Sequence, residues 1–268
     1  SSETNDQIRP LSAETKQTGK LRPEVRQLDR LIEHGIANAK RARLQRESRD
    51  RAEDRSATSR YVSPEMTGAE DLDRYGSWEP SDEYGSLWVP RAVAPGWAPY
   101  SSGRWAWVAP WGWTWVDDAP WGFAPFHYGR WVYVSSRWCW SPGTYVRRPV
   151  YAPALVAWIG GPRLSVAVRI GAAPAPGIGW VPLAPREVYV PGYRVSPRYV
   201  RNVNVTHVTN ITNITTIVNN PQQAVAERDY RNRKYPHAVT VMPAAALVER
   251  KPVAPQARPW RDAPAVRE

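Results

Sequence analysis

Three features of the sequence predict a mainly β fold, made of short tryptophan-rich β-hairpin repeats with an N-terminal α-helix and an extended low-complexity tail. The first is an internal repeat. Gly96-Trp97-Ala98-Pro99-Tyr100-Ser101-Ser102-Gly103-Arg104-Trp105 aligns without a gap on Gly122-Phe123-Ala124-Pro125-Phe126-His127-Tyr128-Gly129-Arg130-Trp131, at an offset of 26 residues. The second is alternation, because aromatic residues recur at every other position after each of these segments. The third is punctuation: 27 Pro and 17 Gly keep the elements short and leave no room for a helix inside a unit. A fixed period is read before any motif, since each unit is one supersecondary element that buries its apolar face against its neighbour.

Taken in chain order, residues 1–23 are polar with scattered Gly and Pro and are expected to be a disordered arm. Over 24–58, Leu28, Leu31, Ile32 and Ile36 fall at helical spacing on a charged surface, which predicts a basic amphipathic helix with Gly35 as its weak point. Its basic half, Lys40 to Arg55, reads as a solvated helix, with a helix for a partner or a membrane surface as the alternative. The Trp-rich β-repeat domain is expected over 59–200, with its core at about 75–200.

In the first full unit, Arg104 to Val108 is one strand, Ala109-Pro110-Trp111-Gly112 supplies turn chemistry, and Trp113 to Val116 is the return strand. A side-chain period of two puts Trp105, Trp107, Trp113 and Trp115 on one face. Their counterparts in the second unit are Trp131, Tyr133, Trp138 and Trp140, with one residue fewer in the turn. Partial echoes lie at Gly85-Ser86-Leu87-Trp88-Val89-Pro90 and Gly179-Trp180-Val181-Pro182. Residues 201–222 repeat a triplet of β-branched apolar, Thr, then mostly Asn, which suits an extended tract better than a strand or helix. The sequons at Asn204, Asn210 and Asn213 lie in it. Residues 223–268 are expected to be mostly flexible and Pro/Ala-rich, with one further strand near Tyr235 to Val241.

Composition narrows the function classes. A generic core leans on aliphatic residues and Phe, whereas this chain has 15 Trp against 2 Phe and 2 Met. The net charge of +11 and a pI near 10.0 permit an acidic polymer, an anionic membrane or nucleic acid as partner and choose none of them. The acidic stretch at 61–90 directly precedes the basic Trp-rich core, so the two are expected to pair within the molecule. Cys139 is the one cysteine, which excludes an intrachain disulfide and a cysteine metal site and suits a small strand residue between Trp138 and Trp140. No apolar run reaches the roughly 18 residues of a membrane span. The chain starts at Ser1, and a signal peptide is presumed already removed.

Chemistry-bearing residues are few. Asp117, Asp118 and His127, flanked by Arg130, form a weak polar cluster in which paired carboxylates and an imidazole could divide acid and base roles. The structural alternative is that an aspartate closes the turn between units and pairs with Arg104 or Arg130. Nucleophile-elbow, phosphate-loop and zinc-helix motifs are absent, and the remaining histidines lack metal-ligand spacing; no catalysis, metal or cofactor is expected. Trp105, Trp107, Trp113, Trp115, Trp131, Tyr133, Trp138 and Trp140, with Arg104 and Arg130, are the ligand-binding candidates, because flat indoles can stack on sugar rings or bases. The competing reading makes the same indoles the core, each N–H bonded to a turn carbonyl. Four exposed aromatics on one strand pair would form a patch that monomers rarely tolerate, which favours packing with one or two indoles exposed.

The run from Gly96 to Trp131, containing Gly112-Trp113-Thr114-Trp115-Val116-Asp117-Asp118-Ala119-Pro120-Trp121-Gly122, resembles an uncharacterised family of tryptophan-rich bacterial envelope or exported proteins. The resemblance covers about residues 60–200. Members often carry a signal peptide and follow a FecR-like domain, and no FecR-like segment stands before residue 60 here. It implies a periplasmic, outer-membrane-associated or extracellular location and no catalytic residues. The expected function is a non-catalytic structural or interaction role at the cell envelope. A polysaccharide-binding module, for peptidoglycan or exopolysaccharide, is the alternative, and polyanion or nucleic-acid binding is the second. The oligomeric state is left open.

Overall fold

A computed structural model describes residues 56–159, 177–209, 214 and 230–257. Nine antiparallel-paired strands form three sheets among them. The four-stranded sheet has the order β1 (Gly76–Ser81), β2 (Gly85–Pro90), β6 (Arg137–Ser141), β5 (Arg130–Val134). β3 (Gly103–Val108) and β4 (Gly112–Asp117) form a two-stranded ribbon, and β7 (Val156–Trp158), β8 (Gly177–Pro182) and β9 (Thr240–Pro243) form the third sheet. Four short helices join them: α1 (Leu72–Tyr75), α2 (Ala124–His127), α3 (Pro197–Asn204) and α4 (Ala244–Val248). The mainly β expectation is met. The expected arm at 1–23 and helix at 24–58 lie outside the described residues, except that 56–58 lead into a 3-10 turn at Thr58–Arg60.

Both repeat units form the expected hairpins, but the second also holds the one-turn helix α2 at Ala124–His127, which corrects the expectation that a unit leaves no room for a helix. Trp105 lies opposite Trp115 and Trp107 opposite Trp113, while Trp131 lies opposite Trp140 and Tyr133 opposite Trp138. Directly opposed residues share a face, so each unit carries a two-rung aromatic ladder. The second turn is shorter because Ser135 and Ser136 both take positive φ, 51° and 62°. That is a two-residue turn whose twist matches the strands. The first turn needs Gly112 at φ 81° after its longer connection. Repeat-equivalent Tyr100 and Phe126 meet edge to face at 4.8 Å, and the Tyr100 hydroxyl donates to the Phe126 carbonyl at 2.8 Å.

Both ladders contribute to one continuous, largely aromatic core. Trp88, Trp105, Trp115, Trp131, Trp140 and Trp180 are its largest buried side chains. Most of their N–H groups are matched. Trp88 donates to the Leu72 carbonyl at 2.9 Å, Trp131 to Pro125 at 3.0 Å, Trp140 to Tyr128 at 2.9 Å and Trp180 to Tyr100 at 3.1 Å. Trp115 differs by donating to Asp117 Oδ2 at 2.8 Å, and Trp105 Nε1 is buried without a partner among the described residues. A buried indole removes about 150–250 Å² from water, or roughly 4–6 kcal/mol at about 25 cal/mol per Å². That gain exceeds the about 1–3 kcal/mol of one unmet donor, which is why Trp105 is tolerated where it is. The opposite face of the four-stranded sheet holds a smaller cluster of Leu87, Val89, Val132 and Cys139. Cys139 is the small strand residue that its neighbours suggested.

Two expectations for the C-terminal third are corrected. The extended tract of 201–222 begins in α3, where Ser196 caps Tyr199 N at 3.1 Å and Pro197 occupies the first turn. Val203 and Asn204 are buried, and 205–207 continue as a turn; the rest of the tract apart from 208, 209 and 214 lies outside the described residues. The triplet pattern hid this helix because the residues that start and anchor it, Ser196 to Val200, precede the repeat. Within 223–268, residues 230–257 supply β9 and α4, and bury Val241, Met242, Ala246, Leu247 and Val253. β9 overlaps the strand expected near Tyr235 to Val241 and pairs with β8, about sixty positions earlier, a partner that the local Pro- and Ala-rich composition does not record. The Val253 amide also donates to the Gly103 carbonyl at 2.8 Å.

The acidic stretch pairs with basic residues as expected. Glu79 binds Arg137, Glu65 binds Arg147 at 3.5 Å and Arg148 at 3.6 Å, and Glu83 binds Arg231 at 3.1 Å. These pairs are solvent-exposed and screened by water, so each contributes little to stability.

Candidate functional site

Asp117, Asp118 and His127 each answer to a different neighbour. Asp117, at the end of β4, accepts from the Trp115 indole through Oδ2 and from the Ala119 amide through Oδ1 at 2.9 Å, closing the turn between units. Burial pushes its carboxyl up to about 7. Asp118 is exposed, and its backbone N–H donates to the Ser102 carbonyl at 3.2 Å. His127, in α2, pairs Nδ1 with the Ala152 carbonyl at 2.8 Å and packs between Phe123 and Tyr151; burial lowers its pKa to about 4. No hydrogen bond joins the three among the described residues. The turn-closing role fits Asp117, and the expected aspartate pairing with Arg130 is corrected.

Arg130 is 1% exposed and its guanidinium reaches oxygen atoms other than aspartate. Nη1 donates to the Gly129 carbonyl at 2.7 Å, Nη2 to Asn204 Oδ1 at 2.9 Å, and Nε and Nη2 both to the Glu187 carbonyl at 3.3 Å. Asn204 in turn donates to the Tyr189 and Val200 carbonyls at 3.0 and 2.8 Å, and accepts from the Tyr189 amide at 2.7 Å. This network ties β5 to the 187–189 segment and α3. Burial lowers the Arg130 pKa to about 10. Arg104, its repeat counterpart, lies on the surface. Asn204 is therefore an interior brace, and its side-chain nitrogen is engaged.

The indole candidates divide by depth. Trp105, Trp113, Trp115, Trp131, Trp138 and Trp140 are buried, whereas Trp107 and Tyr133 are half-buried at the margin of the core. Two openings meet these margins. A cleft of about 170 Å³ lies at the tip of the β3–β4 ribbon, lined by Trp107, Trp111, Trp113, Trp158, Tyr189 and Tyr193 with glycine, alanine and proline between them. A wider groove of about 590 Å³ is lined by Arg91, Trp97, Tyr133, Arg137, Trp138 and His237, among others.

The cleft brings in residues absent from the sequence-based candidates. Trp111 is 39% exposed, the most open tryptophan among the described residues, and its ring meets Tyr151 edge to face at 5.6 Å. Trp158 ends β7 against Trp105 and Trp180. The Tyr193 hydroxyl pairs with that of Tyr199 at 2.9 Å, and Tyr199 donates to the Tyr151 carbonyl at 2.9 Å. Burial raises both tyrosine pKa values far above the ordinary range. The signal for Trp111 was in the sequence: the longer first turn carries an indole where the second unit has serines.

Residues 69–187 match the profile of a family of unknown function (DUF6600), so this part of the chain is similar to an uncharacterised family. No curated protein and no solved structure matches the chain.

Proposed function

We propose that this chain is a non-catalytic structural or interaction protein of the bacterial cell envelope. The observation that carries the reading is the use made of its interior polar groups. Arg130, Asn204, Asp117 and His127 bond to carbonyls, amides and an indole of neighbouring segments and so hold the scaffold together. The aromatic margins remain as the contact surface. Envelope location is supported by the resemblance of Gly96 to Trp131 to tryptophan-rich exported proteins.

An envelope polysaccharide is the partner favoured over nucleic acid. Arg137, Arg147, Arg148 and Arg231 are engaged by glutamates, which weakens the case for a phosphate-tracking surface. The test is fractionation of source cells making the intact protein, combined with sedimentation of the purified full chain with isolated envelopes. Recovery in the periplasmic or outer-membrane fraction and salt-tolerant co-sedimentation are expected. Recovery in the cytosol, or binding to envelopes no greater than that of a basic control protein, would overturn the reading.

A further inference from the structure

We infer that the cleft at the tip of the β3–β4 ribbon holds one uncharged pyranose ring of a saccharide, stacked on Trp111; this rests on the interaction reading above and names the ligand class. Trp111 belongs to a turn that the repeat does not require to be aromatic. The equivalent β5–β6 hairpin turns through Ser135 and Ser136, so an indole at this place serves something other than hairpin closure. Its ring packs edge to face on Tyr151 and stays 39% exposed beside the cleft, where a partner can stack on it.

The lining specifies the ligand. Among the described residues no charged side chain lines the cleft. Indole and phenol rings dominate it, and they match the C–H faces of a sugar ring. Among the described residues the indole N–H groups of Trp111 and Trp158 meet no acceptor and can donate to ring hydroxyls, and the Tyr193 oxygen, whose proton goes to Tyr199, can accept from one. Size narrows the class further. At about 170 Å³ the cleft is smaller than the roughly 300–1,000 Å³ of sites for drug-sized ligands, so it suits a single six-membered ring. A polyproline helix also docks on aromatic residues, but along a groove of several turns. The wider groove with Arg91 and Arg137 differs in its charge, so an acidic sugar would be directed there.

The experiment titrates the full chain with chitotetraose, cellotetraose, tetragalacturonate and a proline-rich peptide, followed by calorimetry. Saturable binding of an uncharged tetrasaccharide is expected, unchanged by added salt. Trp111→Ala is expected to weaken it roughly tenfold, on the scale of one stacking contact. Trp111→Phe should restore part of the loss, and Tyr145→Ala, at a 54% exposed aromatic away from the cleft, should leave it unchanged. Near-UV circular dichroism of each variant checks that the core is retained. Equal affinity of Trp111→Ala and the parent overturns the inference, as does a preference for tetragalacturonate or for the peptide, or no binding of either neutral glycan. Co-sedimentation of the same preparations with isolated envelopes is read separately: if it persists while both glycans fail, the saccharide inference falls and the interaction reading stands.

Discussion

Replacing Arg130 and Arg104 separately by alanine tests how two copies of one repeat position came to do different work. Arg130 is 1% exposed, and its guanidinium supplies donors to three acceptors: the Gly129 and Glu187 carbonyls and Asn204 Oδ1. A buried acceptor deprived of its donor costs about 1–3 kcal/mol. The low end applies, because Asn204 Oδ1 keeps the Tyr189 amide. Three acceptors at about 1 kcal/mol give roughly 3 kcal/mol of destabilisation for Arg130→Ala, before the lost packing of the arginine stem is added. Arg104→Ala, on the surface, should stay within about 0.5 kcal/mol of the parent. Urea unfolding at neutral pH, followed by tryptophan fluorescence and far-UV circular dichroism, reads both. Coincident midpoints for the two variants would refute the assignment of Arg130 as an interior brace.

Four further outcomes follow from the same geometry. Burial raises Asp117 from 3.8 to about 7, so its contribution to stability is complete below about pH 4 and is lost as pH rises through 7; Asp117→Asn should flatten that part of a melting-temperature profile. His127 has the opposite sign: lowered from 6.5 to about 4, it contributes fully above pH 6.5 and loses that contribution as pH falls through 4, and His127→Gln should remove this acid limb. Gly129, at φ 69°, faces the Trp140 indole and the Ser141 carbonyl where a Cβ would go, whereas Gly85 at φ 74° has open space, so Gly85→Ala should cost about 1–2 kcal/mol and Gly129→Ala clearly more by the same urea assay. Cys139 is buried and its thiol is pushed up to about 11, so a thiol reagent should label it only as fast as the protein unfolds.

Much of the architecture was legible because the relevant signals are local. Alternation and the repeat offset put Trp105, Trp107, Trp113 and Trp115, and their counterparts in the second unit, on one face of a hairpin, and the strand registers pair them there. What the repeat could not reveal is that its copies have different neighbours. β5 and β6 join β2 through the Trp88–Trp140 pairing, while β3 and β4 stand as a ribbon touched by the Pro153 carbonyl and the Val253 amide. Arg130 is buried under the 187–189 segment and α3, whereas Arg104 stays in solvent. The joining of β9 to β8 and the bracing of α3 by Asn204 depend on partners far away in sequence, which a local pattern does not record. For the candidate surface, alternation selected residues facing the core. The exposed indole lay in a turn, where alternation carries no information about depth.

The central claim is that the tryptophan ladders are core and that accessible indole is concentrated at the ribbon tip. Acrylamide quenching of the full chain in a Trp260→Phe background, which removes the one tryptophan outside the described residues, tests it most directly. The account predicts a small, readily quenched fraction that is largely lost in Trp111→Phe, with the remaining emission shielded until the protein unfolds. Ready quenching of several indoles that survives Trp111→Phe would contradict it, and would place the rungs of Trp105, Trp115, Trp131 and Trp140 at the surface.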